Sequence, residues 1–339
     1  MSLVRSPVTT DVDFARDGKQ VTYLRVPYSR NDSAWGKLLI PMAVIKNGDG
    51  ATVLLTGGIH GGEYEGPVAL FKLMRELQPA QVQGCVIIMP AVNLPAVLAG
   101  ERLSPIDHKD MNRVFPGRPN GTVTEVIAHY VQEAILPRCD AVVDLHAGGY
   151  SLELAPYISM HYLDDAQQME ATRAAMEAFQ APYAMIMEEF SGEGLLDYAV
   201  EGMGKIFLCA ELGGAGRLEA HTLRLTEVGA RNVLKHFDVL PGEIETCQAR
   251  GLPAMELMEI PDPEYYHIVA EAGIYESFLE VGDAVEEGEP LGQVHFARYP
   301  LRPPQEVVAK RGGILMGRRG PGFVEVGDSV AVVARRVNE

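Results

Sequence analysis

Four apolar segments in the first 250 residues constrain the fold most, because each is rich in Val, Ile and Leu and three of them run into glycines. They read ATVLLTGG, CVIIMPAV, DAVVDLHAGG and KIFLCAELGG. Such runs are typical of strands that are buried on both faces of a sheet. Between and after them stand segments whose apolar residues recur at helical spacing, among them GPVALFKLMRELQ and TEVGARNVLKHFDVL. The alternation predicts an α/β fold, a three-layer α/β/α sandwich around a mainly parallel mixed sheet.

The flanking segments extend this prediction. Two further strands are indicated near the N-terminus, by QVTYLRVPY and by KLLIPMAVIKNGDG. A helix is predicted over TVTEVIAHYVQEAIL, with Thr124 as its N-cap.

After about residue 250 the helical spacing disappears, and Gly, Pro and Val dominate. Two stretches there share one pattern of glycine, apolar strand, V-G-D turn and second apolar strand: GIYESFLEVGDAVEEGEPLGQVHF and GGILMGRRGPGFVEVGDSVAVVA. The pattern resembles the barrel-sandwich domain of biotinyl and lipoyl carriers. The segment between the halves, ARYPLRPPQE, has no carrier lysine. We therefore expect a catalytic α/β domain over residues 1–250 and a small all-β domain without a carrier role over residues 251–339.

Composition and charge limit the classes of partner. The chain has 339 residues and a formal net charge of -17, which opposes binding to nucleic acid. No apolar run approaches the roughly 20 residues that span a bilayer, and the N-terminus lacks the apolar stretch of a signal peptide. Neither GxGxxG nor GxxxxGK[ST] occurs, so neither a dinucleotide-binding Rossmann fold nor a P-loop fold is indicated. We expect a cytoplasmic protein that binds a small molecule, with no membrane or nucleic-acid partner. Association into a homo-oligomer stays open.

The motif GGIHGGEYEGP indicates a metal site. It places His60 at the end of a predicted strand and Glu63 three residues later, before a helix. Zinc hydrolases combine such a close pair with a distant third ligand and an open coordination position. His146 ends the strand DAVVDLHAGG and supplies a candidate third ligand, and Asp144 is a candidate partner for a ligand imidazole. Taken alone, each histidine could equally be an ordinary structural residue.

Glu211 ends a further predicted strand, again before glycines. Ligands of open α/β sheets bind outside the carboxyl ends of the strands, so all these side chains are expected at one crevice. The loop RLSPIDHKDMNRVFPGRP adds Asn112 and Arg113, which could clamp a carboxylate, and Arg102, which could stabilise an oxyanion. The alternative for these arginines is a solvated surface position. The convergence predicts a metal-dependent hydrolase.

The set GGIHGGEYEG, DMNRVFPG, DLHAGG and AELGG resembles the succinylglutamate desuccinylase/aspartoacylase family, relatives of the zinc carboxypeptidases. The resemblance implies a carboxypeptidase-like fold and one Zn²⁺ per chain. It makes His60, Glu63 and His146 the zinc ligands and Glu211 the general base. Asn112 and Arg113 would bind the substrate carboxylate, with Arg102 as the candidate oxyanion arginine.

The resemblance implies hydrolysis of the amide bond of a small N-acylated amino acid. In the segment R-x-SP-x-D before NRVFPG, the chain looks similar to the branch that deacetylates Nα-acetyl-2,4-diaminobutyrate in ectoine breakdown. Deacylation of N-succinylglutamate or N-acetylaspartate and peptide hydrolysis by a metallocarboxypeptidase are the alternatives. A metal-binding protein without catalysis is the non-enzymatic alternative.

Overall fold

The computed structural model describes residues 6–187 and 192–337 of the chain. The helices are α1 (Glu65–Glu76), α2 (Leu94–Ala99), α3 (Val123–Tyr130), α4 (Ala166–Phe179), α5 (Leu196–Glu201) and α6 (Ala220–His236). The strands are β1 (Gly18–Pro27), β2 (Lys37–Asn47), β3 (Thr52–Gly57), β4 (Gly84–Met89), β5 (Ala141–His146), β6 (Leu152–Leu154), β7 (Tyr157–His161), β8 (Tyr183–Met187), β9 (Ile206–Glu211), β10 (Glu256–Glu259), β11 (Tyr266–Ile268), β12 (Gly273–Ser277), β13 (Ala284–Val285), β14 (Pro290–His295), β15 (Gln305–Val308), β16 (Gly313–Arg319), β17 (Phe323–Val324) and β18 (Ser329–Arg336). None of the described helices is long and apolar enough to cross a membrane.

The central sheet confirms the predicted α/β architecture. Its strands follow the order β1-β2-β4-β3-β5-β9-β7-β8-β10-β18-β16-β13. The four strands β4, β3, β5 and β9 are parallel neighbours, and they are the four apolar segments of the sequence. Strand β7 runs antiparallel to β9, whereas β8 and β10 run parallel to β7. The sheet is therefore mixed, with a parallel centre.

Helices cover both faces of this sheet. Because successive side chains of a strand point to opposite faces, neighbouring residues of β3 pack into different cores. Val53 and Leu55 of β3 point into a core with α1, α4 and α6. Leu54, between them, belongs to a second core that includes Val126 of α3 and Leu196 of α5. The three residues are fully buried, so β3 is covered on both sides and three layers result.

The C-terminal part is all-β, as expected, and its strands reach the loop that follows β5. Strands β12, β14, β15 and β17 form a separate antiparallel sheet. Strand β16 pairs with β6, and β18 pairs with β10, so the hydrogen bonding of the central sheet continues past residue 250. Gly320 N donates to Ser151 O at 2.9 Å, and Ala155 N donates to Met316 O at 2.9 Å. These bonds hold residues 151–155 against the C-terminal strands.

One local prediction was wrong. The N-cap of α3 is Thr122, not Thr124. Glu125 Oε2 accepts from Thr122 N at 2.7 Å, as the acidic residue of a capping box does. The Thr124 hydroxyl instead donates to Asp107 Oδ1 at 2.8 Å. It anchors the long polar loop to the helix.

Candidate functional site

Three parallel strands bring the candidate metal ligands and base to one edge of the sheet. Strand β5 ends at His146 and β9 ends at Glu211, and these two residues are direct partners in the register. His60 follows β3, the neighbour of β5 on its other side. The turn around His60 needs glycine: Gly58 has φ +68°, and a Cβ on Gly61 would lie 1.8 Å from Ala96 O.

One buried group, which we call the metal group, consists of His60, Glu63 and His146. Each of these residues is 4% exposed. Their ligand atoms lie within 4.8 Å of one another, as binding to a single ion requires. His60 Nδ1 is 2.8 Å from Glu63 Oε1, and His146 Nδ1 is 2.8 Å from Glu63 Oε2. Two imidazole nitrogens and a carboxylate are the donor set of a three-ligand zinc site.

A carboxylate holds the other nitrogen of each ring. His60 Nε2 donates to Asp110 Oδ1 at 3.0 Å, and His146 Nε2 donates to Asp144 Oδ2 at 2.7 Å. Asp144 is fixed in turn by the Thr56 hydroxyl, which donates to its Oδ1 at 2.7 Å. A proton held at Nε2 leaves the Nδ1 lone pair for an ion, which is how carboxylates orient metal-binding histidines.

The electrostatics of this group fit a bound cation. Burial would raise the pKa of Glu63, but the adjacent His146 and His60 outweigh it and lower the pKa to about 2. Burial would lower the pKa of His146, but the Asp144 and Glu63 carboxylates hold it well above its ordinary value. Two neutral rings would turn their Nδ1 lone pairs toward an ionised carboxylate. A divalent cation held by these residues would relieve that repulsion in place of the extra protons.

Glu211 has the environment of a proton-transfer group. Its Oε2 is buried and makes no hydrogen bond within the described part of the chain. Burial raises its pKa to about 7; the charge of His146 opposes this rise and that of Glu63 adds to it. A carboxylate with a pKa near 7 exchanges protons readily at neutral pH. The Glu211 carboxylate can therefore take a proton from water and return it.

The polar loop between α2 and α3 carries the cations of the site. Arg102 binds Asp110 Oδ2 through Nε at 3.1 Å and Nη2 at 3.0 Å, so Asp110 joins Arg102 to His60. Asn112 Oδ1 accepts from the backbone N–H of Leu196 at 2.9 Å. Arg113 is exposed and donates through Nη1 to the carbonyl of Asn112 at 2.6 Å. Arg102 and Arg113 both line the cavity that contains His60, Glu63 and His146.

A cavity of about 280 Å³ gathers the residues that the sequence predicted, and it is lined by His60, Glu63, Arg102, Asn112, Arg113, His146 and Glu211. Further lining residues, Tyr157, Ser159, His161 and Asp197, were not predicted. A second cavity of about 320 Å³ shares His60, Glu63, Arg102, Gly148 and Ser151 with the first and is also lined by Glu101 and Tyr150. The sequence analysis also gave Asp110 no role. Asp110 is the first residue of the DMNR motif, so the motif itself could have indicated it.

Known proteins match both the sequence and the structure. Residues 49–237 match the succinylglutamate desuccinylase/aspartoacylase catalytic domain. The chain is 43% identical to the N-alpha-acetyl-L-2,4-diaminobutyric acid deacetylase of Halomonas elongata, over 98% of this chain and 96% of that protein.

Two similar solved structures each have a TM-score of 0.94 to this chain. Each match covers 98% of this chain and 100% of the other chain. They are a succinylglutamate desuccinylase/aspartoacylase from Rhodobacter sphaeroides at 43% identity, and the product-bound ectoine utilization protein EutE (DoeB) from Ruegeria pomeroyi at 42% identity. Both the domain match and the full-length likeness lead to one assignment: the chain belongs to the succinylglutamate desuccinylase/aspartoacylase family.

Proposed function

We propose that this chain is a zinc-dependent deacylase that hydrolyses Nα-acetyl-L-2,4-diaminobutyrate to acetate and the free diamino acid. The observation that carries the substrate is the full-length, 43% identity to a deacetylase of that compound. The geometry supports the reaction class. A His₂Glu donor group lines the same cavity as Glu211, a carboxylate with one buried oxygen and a raised pKa.

His60, Glu63 and His146 would hold one Zn²⁺ per chain. When bound, the ion supplies Lewis-acid chemistry, which polarises an amide carbonyl and acidifies water. Asp110 and Asp144 keep the two rings oriented. The same donor set would also accept other divalent transition metals, so zinc is the expected metal and the metal content is a measurement to make.

Glu211 is the proposed general base. Its carboxylate takes a proton from the attacking water and delivers it to the amine nitrogen as the C–N bond breaks, so the products are a carboxylate and a free amine. The guanidinium of Arg102 would stabilise negative charge on the carbonyl oxygen. Arg102 is suited to this role because Asp110 fixes it beside His60.

Asn112 and Arg113 are the proposed clamp for the α-carboxylate. A guanidinium matches a carboxylate with two parallel hydrogen bonds. The Leu196 N–H donates to Asn112 Oδ1, which orients the Asn112 amide at the cavity. Holding the α-carboxylate orients the scissile amide toward the metal group and Glu211.

The test is primary-amine release from Nα-acetyl-L-2,4-diaminobutyrate by zinc-loaded protein, with a chelator-treated sample and the Glu211→Gln variant as controls. We expect chelator-sensitive turnover with kcat/KM of roughly 10⁴ M⁻¹s⁻¹ or more, the lower end for a real substrate. Parallel assays with N-succinylglutamate, N-acetylaspartate and a short peptide test the alternatives. A kcat/KM that is higher for any of these three would overturn the substrate assignment and leave the reaction class standing.

A further inference from the structure

Two cavities meet at the metal group. The first cavity, of about 280 Å³, and the second cavity, of about 320 Å³, are both lined by His60, Glu63 and Arg102. Within the described part of the chain, the proposed carboxylate clamp and the proposed general base line the first cavity and not the second. A substrate whose scissile amide lies at the shared residues can therefore extend into both cavities.

The two sides of the amide bond belong to different cavities under the proposed function, on which this inference rests. The clamp binds the α-carboxylate, and Glu211 delivers a proton to the amine nitrogen, so the amino-acid part of the substrate lies in the first cavity. The acyl group stands on the other side of the carbonyl carbon. The second cavity, across the shared residues, is the space that can receive it.

Gly62 lines the second cavity, although the fold does not require a glycine at this position. Its φ lies outside the left-handed region, and a Cβ added to it would lie 3.4 Å from Gly100 O and 3.8 Å from Tyr150 N, which are ordinary contacts. The preceding residue differs, because a Cβ on Gly61 would lie 1.8 Å from Ala96 O. The backbone around Gly61 excludes any side chain, whereas position 62 has space for one.

The glycine at position 62 enlarges the second cavity. Gly100 and Tyr150, the two residues that an added Cβ would contact, line the same cavity, so a side chain at position 62 would occupy part of it. The methyl group of an acetyl is about the size of a water molecule, which takes about 30 Å³ in the liquid. A cavity of about 320 Å³ therefore has room for several more carbon atoms.

The lining of the second cavity suits a neutral acyl group. Four of its ten lining residues are glycines. Outside the metal group, Arg102 is the one cation among these described residues, and Asp110 already binds its guanidinium through Nε and Nη2. Glu101, also in the lining, carries the opposite charge. An acyl group that ends in a carboxylate would therefore find no free cation among these residues.

We propose that the second cavity receives the acyl group and that Gly62 leaves room there for neutral acyl chains longer than acetyl. The protein then also hydrolyses Nα-propionyl and Nα-butyryl amino acids. The reaction is the same hydrolysis: water adds to the acyl carbon, the C–N bond breaks, and the amine nitrogen takes a proton. The products are the longer carboxylate and the free amino acid.

The first experiment measures hydrolysis of the Nα-acetyl, Nα-propionyl, Nα-butyryl and Nα-succinyl derivatives of L-2,4-diaminobutyrate by the zinc-loaded wild-type protein. We expect kcat/KM for the propionyl and butyryl substrates to stay within roughly 10-fold of the acetyl value, since one methylene that does not fit a pocket costs roughly 10- to 200-fold. Larger losses would overturn the proposal. The succinyl group has a carboxylate where butyryl has a methyl group, so its kcat/KM should be lower than that of butyryl. A higher succinyl value would overturn the neutral preference.

The second experiment places a methyl group at position 62. In Gly62→Ala, we expect the ratio of kcat/KM for the butyryl substrate to that for the acetyl substrate to fall by roughly 10-fold or more. Because both values come from one protein, damage to the neighbouring ligands His60 and Glu63 would lower them together and leave the ratio unchanged. An unchanged ratio therefore contradicts the role of Gly62. If the variant does not fold, the wild-type series decides alone.

The matched control is Gly322→Ala, the same change outside both cavities. The φ of Gly322 also lies outside the left-handed region, and a Cβ added there would lie 3.9 Å from Ile274 Cγ2, an ordinary contact. The ratio of the butyryl to the acetyl value should stay at the wild-type level in this variant. An equal fall in both variants would overturn the assignment to Gly62.

A binding measurement keeps this inference separate from the proposed function. If none of the derivatives is turned over, calorimetry on the zinc-loaded protein measures them as ligands. Wild-type protein that binds the butyryl derivative at least as tightly as the acetyl derivative, with weaker butyryl binding in Gly62→Ala, would support the acyl site although the proposed function fails. Weaker butyryl binding by the wild type would overturn both. If the acetyl substrate is hydrolysed and the longer neutral ones are not, the acyl site fails alone.

Discussion

Asp110 should control both metal affinity and catalysis, because its carboxylate joins the candidate metal ligand His60 to Arg102, the proposed oxyanion arginine. Its Oδ1 accepts from His60 Nε2 at 3.0 Å and from Asn112 N at 2.9 Å, and its Oδ2 accepts from Arg102. Burial would raise the pKa of Asp110, but His60 and Arg102 outweigh it and hold the pKa well below its usual range. The group is therefore an anion at any working pH.

Two substitutions separate these contacts. In Asp110→Asn, the amide oxygen can still accept from His60 and the backbone, but the NH₂ group cannot accept from Arg102. We expect zinc affinity to fall by roughly 10-fold and kcat/KM by roughly 100-fold. In Asp110→Ala the ring of His60 loses its support, and zinc affinity should fall by roughly 100-fold, the upper end for such supporting residues. These factors correspond to about 1.4 and 2.8 kcal/mol.

Competition with a chromogenic zinc chelator measures the affinity, and amine release from the acetylated substrate measures catalysis. The control is Asp107→Asn in the same loop. Asp107 accepts from Thr124 N and Oγ1 at 2.8 Å, and within the described part of the chain it makes no hydrogen bond or ion pair with His60, Glu63 or His146. Wild-type zinc affinity in Asp110→Ala would refute the reasoning. So would equal losses in the Asp107 and Asp110 variants, because loop folding would then explain both.

Three further predictions concern Glu211, His146 and Glu125. Glu211→Gln should retain zinc and lower kcat by roughly 100-fold or more, which metal analysis and turnover measure together; near-normal turnover would remove Glu211 from the base role. His146→Ala should lose the metal, and one zinc per chain at wild-type affinity would contradict its assignment as a ligand. Glu125→Gln tests a pH effect. Burial would raise the pKa of Glu125, but the Thr122 N–H and Arg118 lower it to about 2. The ionised carboxylate therefore stabilises the fold above pH 4.5, by about 2 kcal/mol after allowance for the exposure of Arg118, and this contribution is lost as the pH falls toward 2. Urea unfolding of both proteins at pH 7 and 3.5 should show the wild-type advantage shrinking at the lower pH.

The positions of the candidate metal ligands and of the candidate base could be predicted from sequence, because parallel strands have their carboxyl ends at one edge of a sheet. Apolar runs mark β3, β5 and β9, and each polar residue that follows such a run must lie near the others once the strands are neighbours. His146 and Glu211 are adjacent in the register, which is the strongest form of this constraint. No comparable rule applies to a loop, so the sequence named Arg102 without indicating that Asp110 holds it.

The part of the cavity lining that β7 and α5 supply was not predictable, because these two elements carry weak sequence patterns. Strand β7 reads YISMH, which alternates polar and apolar residues over only five positions, and α5 has six residues. Tyr157, Ser159 and His161 are polar because they face the cavity, and this same polarity hides the strand from a search for apolar runs. The N-cap of α3 is a different case. Glu125 stands three residues after Thr122, so a capping box was readable and selects Thr122 over Thr124.

The position of the C-terminal strands helps to decide whether the site suits a small substrate or a peptide. Strand β16 pairs with β6, and Gly320 N donates to Ser151 O, which ties the loop after His146 to the C-terminal part. Ser151 lines both cavities, so the C-terminal strands fix a wall of the site. Glu153 adds to this bracing, because its carboxylate accepts from Arg217 and from Arg318 at 2.8 Å each. A peptidase needs an open cleft that admits chain on both sides of the scissile bond. A wall held in place by these contacts, beside cavities of about 280 and 320 Å³, favours a single amino acid with a short N-acyl group over a peptide.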